Sequence, residues 1–167
     1  MDRSNIILIG MPGSGKSTVG PVLAGKLGFG FIDTDAVIRT RENKDLKDIV
    51  NECGLKKFLE IQEAVLMELN LQKHVISTGG SIVYNARAVE HLKKTGLMVY
   101  LKLPFEEIEK RLAPERRFAR DAGQSFRDLY EERTPLYEKY ADFIVDCSGK
   151  SASAIADEIV SRTQRGF

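Results

Sequence analysis

Residues 10–17 read Gly10-Met11-Pro12-Gly13-Ser14-Gly15-Lys16-Ser17, a glycine followed by four residues and then Gly-Lys-Ser, and no other feature restricts the fold as tightly. The apolar run Ile6–Ile9 precedes the loop, and Val19, Val22, Leu23 and Leu27 follow it at the three-and-four spacing of one helical face. A glycine-rich turn between a buried strand and a helix N-terminus is a phosphate cradle. Glycines let successive backbone N–H groups point inward, and the first helical turn adds the positive end of its dipole. Gly13, Ser14, Gly15, Lys16, Ser17 and Thr18 are therefore the expected nucleotide-binding residues, with Lys16 reaching the β- and γ-phosphates of ATP or GTP and the Ser17 hydroxyl ligating Mg²⁺. Pro21 removes one ladder hydrogen bond from this helix and predicts a local bend after its first turn.

Strand-like runs recur along the chain at Ile6–Ile9, Phe29–Ile32, His74–Ser77, Leu97–Leu101 and Asp142–Val145, separated by helical patterns. Such alternation predicts an α/β protein with a parallel sheet covered on both faces. A long helix is expected from about Leu55 to Leu71. With 167 residues and no repeat or linker, one domain spanning 1–167 is expected. The Arg-rich stretch from Ala113 to Gln124, holding Pro114 and Gly123, interrupts the helical pattern and reads as a short lid. Lys and Arg number 25 against 24 Asp and Glu, so no whole-surface field favours nucleic acid. No apolar run approaches the ~20 residues of a membrane span, and the N-terminus lacks a signal-peptide pattern, so a cytoplasmic protein is expected. Cys53 and Cys147 have no metal-ligand spacing and read as reduced, structural thiols.

After the second strand, Asp33-Thr34-Asp35 places two carboxylates at the end of the sheet where open α/β folds hold their ligands. In one reading Asp33 holds water on Mg²⁺, while Asp35 orients an acceptor hydroxyl or takes its proton. In the other, Asp35 is the N-cap of the next helix and Asp33 is solvated.

Together these residues resemble the shikimate kinase family, a group with the nucleoside-monophosphate-kinase-like P-loop fold. The likeness covers nearly the whole chain: the loop, Asp33-Thr34-Asp35, Thr78-Gly79-Gly80, and Glu132-Arg133-Thr134-Pro135-Leu136-Tyr137 followed by Ala141-Asp142. The resemblance implies a three-layer fold with a five-stranded parallel sheet. It also implies transfer of the ATP γ-phosphate to a hydroxyl of shikimate, giving shikimate 3-phosphate, by a monomer needing only small-molecule partners. It puts Asp35 on the acceptor hydroxyl, Gly79 and Gly80 as backbone donors, Arg133 on the substrate carboxylate, and the lid's Arg117 over the phosphates, with Arg116 and Arg120 nearby. Each role has a plainer competitor. The glycines are also a turn, the arginine cluster is also a charged loop, and Arg133 is also a solvated last-turn residue if Thr134 before Pro135 ends its helix.

The chain departs from the family pattern at one wall of the acceptor pocket. Leu59 stands where an arginine belongs and Gln62 where its acidic neighbour belongs, a pair sharing one helix face. Loss of both together reads as a rebuilt, less charged wall with Leu59 in the acceptor site, since loss of the arginine alone would leave a carboxylate uncompensated; the plainer reading is that Leu59 is core, like its apolar neighbours Leu55, Phe58 and Leu66. Ser81 replaces the third glycine of the family's run, and the lid reads Arg117-Phe118-Ala119-Arg120. Lys56, Lys57, Arg39 and Arg41 are the candidates for a replacement cation, and Lys150 for a neighbour of the adenine. Shikimate is the leading acceptor. Its rivals are another hydroxylated metabolite with less negative charge and a role as an ATP-binding regulatory module.

Overall fold

The computed structural model describes residues 3–112 and 123–165. Arg116, Arg117 and Arg120 lie outside the described residues. Five strands, β1 (Asn5–Ile9), β2 (Gly30–Asp33), β3 (His74–Ser77), β4 (Gly96–Lys102) and β5 (Phe143–Asp146), form one parallel sheet in the order β2-β3-β1-β4-β5. All five fall on the expected runs. Every residue of β1 is buried, as a central strand covered on both faces requires. The helices are α1 (Lys16–Leu27), α2 (Thr34–Glu42), α3 (Leu46–Glu68), α4 (Ala86–Thr95), α5 (Phe105–Arg111), α6 (Phe126–Tyr140) and α7 (Ala152–Gln164), with a short 3-10 helix at Gly80–Tyr84.

As expected, α1 starts at Lys16 and contains Pro21; it ends where Gly28 takes a left-handed conformation, its N–H returning to the Ala24 and Gly25 carbonyls. Two helices depart from expectation. First, α3 begins nine residues before Leu55, because two helices meet at Gly54, where φ 83° and ψ 162° suit glycine alone; it then stops at Glu68. Second, α6 does not end before Pro135. Its missing N–H strands only the carbonyl of exposed Glu131, so the helix continues to Tyr140, and Arg133 lies mid-helix instead of in a last turn.

The main core joins the sheet to α1, α4, α5, α6 and α7. A separate apolar cluster of Ile38, Leu46, Ile49, Phe58 and Val65 ties α2 to α3. Among the described residues no helix is long and apolar enough to cross a membrane.

Candidate active site

The carboxyl ends of β1, β2 and β3 converge on one cavity of about 360 Å³. Its floor is the loop after β1. Gly10, Gly13 and Gly15 have φ of 151°, 82° and 103°, values side chains rarely tolerate, and a Cβ on Gly10 would meet the Leu101 carbonyl and Ser14 Oγ at 2.8 Å. Gly15 caps α1, so the first N–H groups of the helix open toward the cavity. The Lys16 ammonium turns back onto the loop, donating to the Gly10 and Met11 carbonyls at 2.6 and 2.8 Å and to Ser14 Oγ at 3.4 Å. Burial is the main reason its pKa falls to about 8. Asp35 and Asp33 oppose that fall, and the positive charge of Arg133 adds to it.

Asp33 caps α2, its Oδ1 accepting from the N–H groups of Asp35 (3.0 Å) and Ala36 (3.4 Å). The cap is thus one carboxylate earlier than the alternative reading of Asp35 supposed, which leaves Asp35 without that task. The other oxygen of Asp33 accepts from the Ser17 hydroxyl at 3.4 Å. A hydroxyl and a carboxylate side by side at a phosphate loop are hard oxygen donors, the set that suits Mg²⁺ with phosphate oxygens and water completing its shell. Described residues include no cluster of three or more His, Cys, Asp or Glu that would hold a metal without phosphate.

Asp35 sits in the first turn of α2 with Oδ1 buried and without a hydrogen-bond partner among the described residues. Burial first, then the neighbouring Asp33 charge, push its pKa up to about 6, against the pull of Lys16 and Arg39. Gly79 makes room for this carboxylate, since a Cβ there would lie 2.5 Å from Asp35 Oδ1. Gly80 does the same for Arg133, since a Cβ would lie 3.0 Å from Nη1 and 2.7 Å from Pro12 Cδ. The two glycines are therefore points of close approach and not merely a turn.

Arg133 is 1% exposed, on the inner face of α6. Its Nε donates to the Tyr84 hydroxyl at 3.2 Å, and its guanidinium lies 5.1 Å from the Tyr84 ring centroid. Tyr84 donates in turn to Glu132 at 2.8 Å, and Tyr137 donates to the Gly80 carbonyl at 2.6 Å while stacking on Tyr100. A cation desolvated this far, in a cavity floored by a glycine-rich loop, is suited to a charged ligand group.

The α3 wall differs from the expectation. Phe58, 1% exposed, lines the cavity, whereas Leu59 does not; it faces a separate shallow depression with Leu55, Lys56 and Asn85. One residue along a helix is a rotation of about 100°, so the two side chains leave α3 on different faces. Gln62 is fully buried in a neutral network, donating to Ser81 Oγ at 3.1 Å and accepting at Oε1 from Ser81 Oγ (3.3 Å) and Asn85 Nδ2 (2.9 Å). The substitutions at 62 and 81 are therefore partners in one hydrogen-bonded set. Lys150 pairs with Glu158 at 2.9 Å on the surface. Arg111, the last residue of α5, also lines the cavity, and sequence reasoning missed it. The signal available was a basic last turn immediately before the expected lid; the packing of Ile108 and Leu112 near Gly13 is what carries it to the loop.

Comparison with known proteins points one way. The family model described as "Shikimate kinase" matches residues 12–164. A shikimate kinase of Persephonella marina is 35% identical over 161 residues, spanning 95% of this chain and 98% of that one. The solved shikimate kinase of Acinetobacter baumannii in complex with shikimate superimposes with a TM-score of 0.89 at 31% identity, covering 97% of this chain and 93% of that one. Mouse threonine synthase-like 1 is 36% identical over 166 residues, 96% of this chain but 22% of that protein. Similar units thus occur inside longer chains under another name, and the cavity has to decide the acceptor.

Proposed function

The chain belongs to the shikimate kinase family, phosphotransferases acting on a hydroxyl, and we propose that it moves the γ-phosphoryl group of ATP to a hydroxyl of shikimate, forming shikimate 3-phosphate. The observation that carries this reading is the buried, unpartnered Asp35 Oδ1 in the same cavity as Lys16 and the buried Arg133. An orphaned buried acceptor is costly unless a ligand supplies a donor, and an alcohol O–H is such a donor.

In this mechanism the N–H groups of residues 13–18 and the Lys16 ammonium hold the phosphates, with Lys16 released from its loop carbonyls to do so. Ser17 would hold Mg²⁺ directly and Asp33 would hold it through water, and the ion would supply positive charge to the phosphates. Arg133 grips the acceptor carboxylate and Phe58 backs its ring. Gly79 and Gly80 keep the approach open, and Asp35 turns the hydroxyl toward phosphorus. As the acceptor oxygen bonds to phosphorus and the bond to the bridging oxygen of ADP breaks, Asp35 receives the hydroxyl proton. A carboxyl titrating near 6 is ionised at neutral pH, yet basic enough for that transfer. Arg111, and Arg117 from the lid, stabilise charge on the moving phosphoryl group. All these groups come from one chain, which fits a monomer, and ATP as donor fits a cytoplasmic enzyme.

The test is release of ADP from Mg·ATP with and without shikimate. Shikimate-dependent turnover is expected, falling about 10²–10⁴-fold in Asp35→Asn with ATP binding retained. No shikimate-dependent turnover in the wild type refutes the reading.

A further inference from the structure

With Leu59 turned to the neighbouring depression and Gln62 closed into its network with Ser81 and Asn85, α3 presents no charge to the cavity. A second positive charge at the acceptor end, beside that of Arg133, would then come from elsewhere, and the four candidate cations separate cleanly. Arg41 is paired with Glu68 at 2.6 Å, and Lys57 with Glu60 at 3.6 Å. Lys56 faces the shallow depression beside Glu60 and Glu63. Arg39 lines the cavity, is exposed, and makes no ion pair or side-chain hydrogen bond with any described residue.

Arg39 lies one helical turn after Asp35 on α2, so the two side chains rise on one face, and its charge opposes the burial that raises the Asp35 pKa. Its backbone is well anchored: the preceding Ile38 is fully buried in the cluster that joins α2 to α3. A guanidinium at a cavity mouth with no carboxylate among the described residues paired to it, carried on a fixed helix, is equipped to bind a planar carboxylate through paired N–H groups. Resting on the proposed reaction, we infer that Arg39 is a specificity-determining residue that takes the acceptor carboxylate opposite Arg133, so that the second cation of this site is supplied by α2 and not by α3.

The experiment compares wild type, Arg39→Met and Arg39→Lys in steady-state turnover, with shikimate methyl ester as a competitive inhibitor. Loss of a charge-assisted hydrogen bond predicts a KM for shikimate about 10–100-fold higher in Arg39→Met and partial recovery in Arg39→Lys. The kcat should remain within about threefold, the KM for ATP should stay the same, and the uncharged ester should inhibit wild type and Arg39→Met equally. Arg39 is exposed, so its replacement should not unfold the protein, and matching thermal melts would establish that. An unchanged shikimate KM overturns the inference and leaves the proposed reaction standing, as does a shift in the ATP KM instead, or equal weakening of the ester. Absence of wild-type turnover with shikimate overturns both.

Discussion

Replacing Gly79 by alanine separates catalysis from stability at one atom. The added Cβ would stand 2.5 Å from Asp35 Oδ1, 3.2 Å from its Cγ and 3.2 Å from Gln62 Nε2. Gln62 is locked by Ser81 and Asn85, so the Asp35 carboxylate must yield, by about 1 Å before ordinary contact is restored. A displacement of that size at a reacting group costs roughly 100-fold in rate, about 2.7 kcal/mol in the barrier. The backbone does not object: Gly79 has φ −71° and ψ 154°, where alanine is at ease, and the loss of a glycine restricts the unfolded chain by about 0.4–1 kcal/mol in the folded state's favour. The expected result is a kcat down about 100-fold, with ATP affinity unchanged and a melting temperature within about 3 °C of wild type. Gly25→Ala is the matched control. Gly25 is an exposed position in α1 with nothing near its Cβ, and the change should leave kcat untouched. Steady-state kinetics and a thermal melt on the two variants decide the matter. A Gly79→Ala enzyme of normal kcat would refute the placement of Asp35 as the group that orients the acceptor.

Asp35 also predicts a pH dependence in two directions. Its folded pKa, near 6, lies above the unfolded value of 3.8, so its contribution to stability is fully present below about pH 4 and is lost as the pH rises through 6. Asp35→Asn should therefore be more stable than wild type by about 2–3 kcal/mol at pH 8 in chemical denaturation, a gap that closes on acidification. Over the same range the wild-type kcat/KM should fall as the carboxylate protonates below about pH 6. Equal stability at pH 8 would mean that the carboxylate is not strained by burial. Tyr84→Phe keeps the ring beside Arg133 but removes the hydroxyl that accepts from Nε. Its shikimate KM should rise about 5–10-fold with kcat retained, and an unchanged KM in initial-rate measurements would show that Arg133 does not depend on Tyr84 for its orientation.

What could be read from the residues in order was local. The loop at 10–17, the apolar runs of the five strands and the acidic pair after β2 all depend on neighbours within a few positions, and they suffice for an α/β phosphate-binding fold. The family resemblance, not spacing, pointed to Arg133, and the local pattern put a helix end at Thr134 that the structure moves to Tyr140, because a proline whose stranded carbonyl is exposed does not stop a helix. Packing decided the rest. Helical period tells which residues share a face but not which element that face meets. For that reason Leu59 was read into the acceptor site, while Phe58, one residue before it, is the one that lines it. The partners that define the site are distant in sequence: Gln62 with Ser81, Tyr84 with Arg133, Gly80 with Tyr137 and Arg111 with the loop. Nothing in one stretch of chain signals such contacts, because they exist only once the parallel crossovers bring the ends of β1, β2 and β3 to a single point. The sequence by itself determined that this protein binds phosphate and on which loop. Only the tertiary structure decided which carboxylate oxygen is buried without a partner among the described residues and which of the candidate cations lines the cavity, since burial and pairing are properties of neighbours in space.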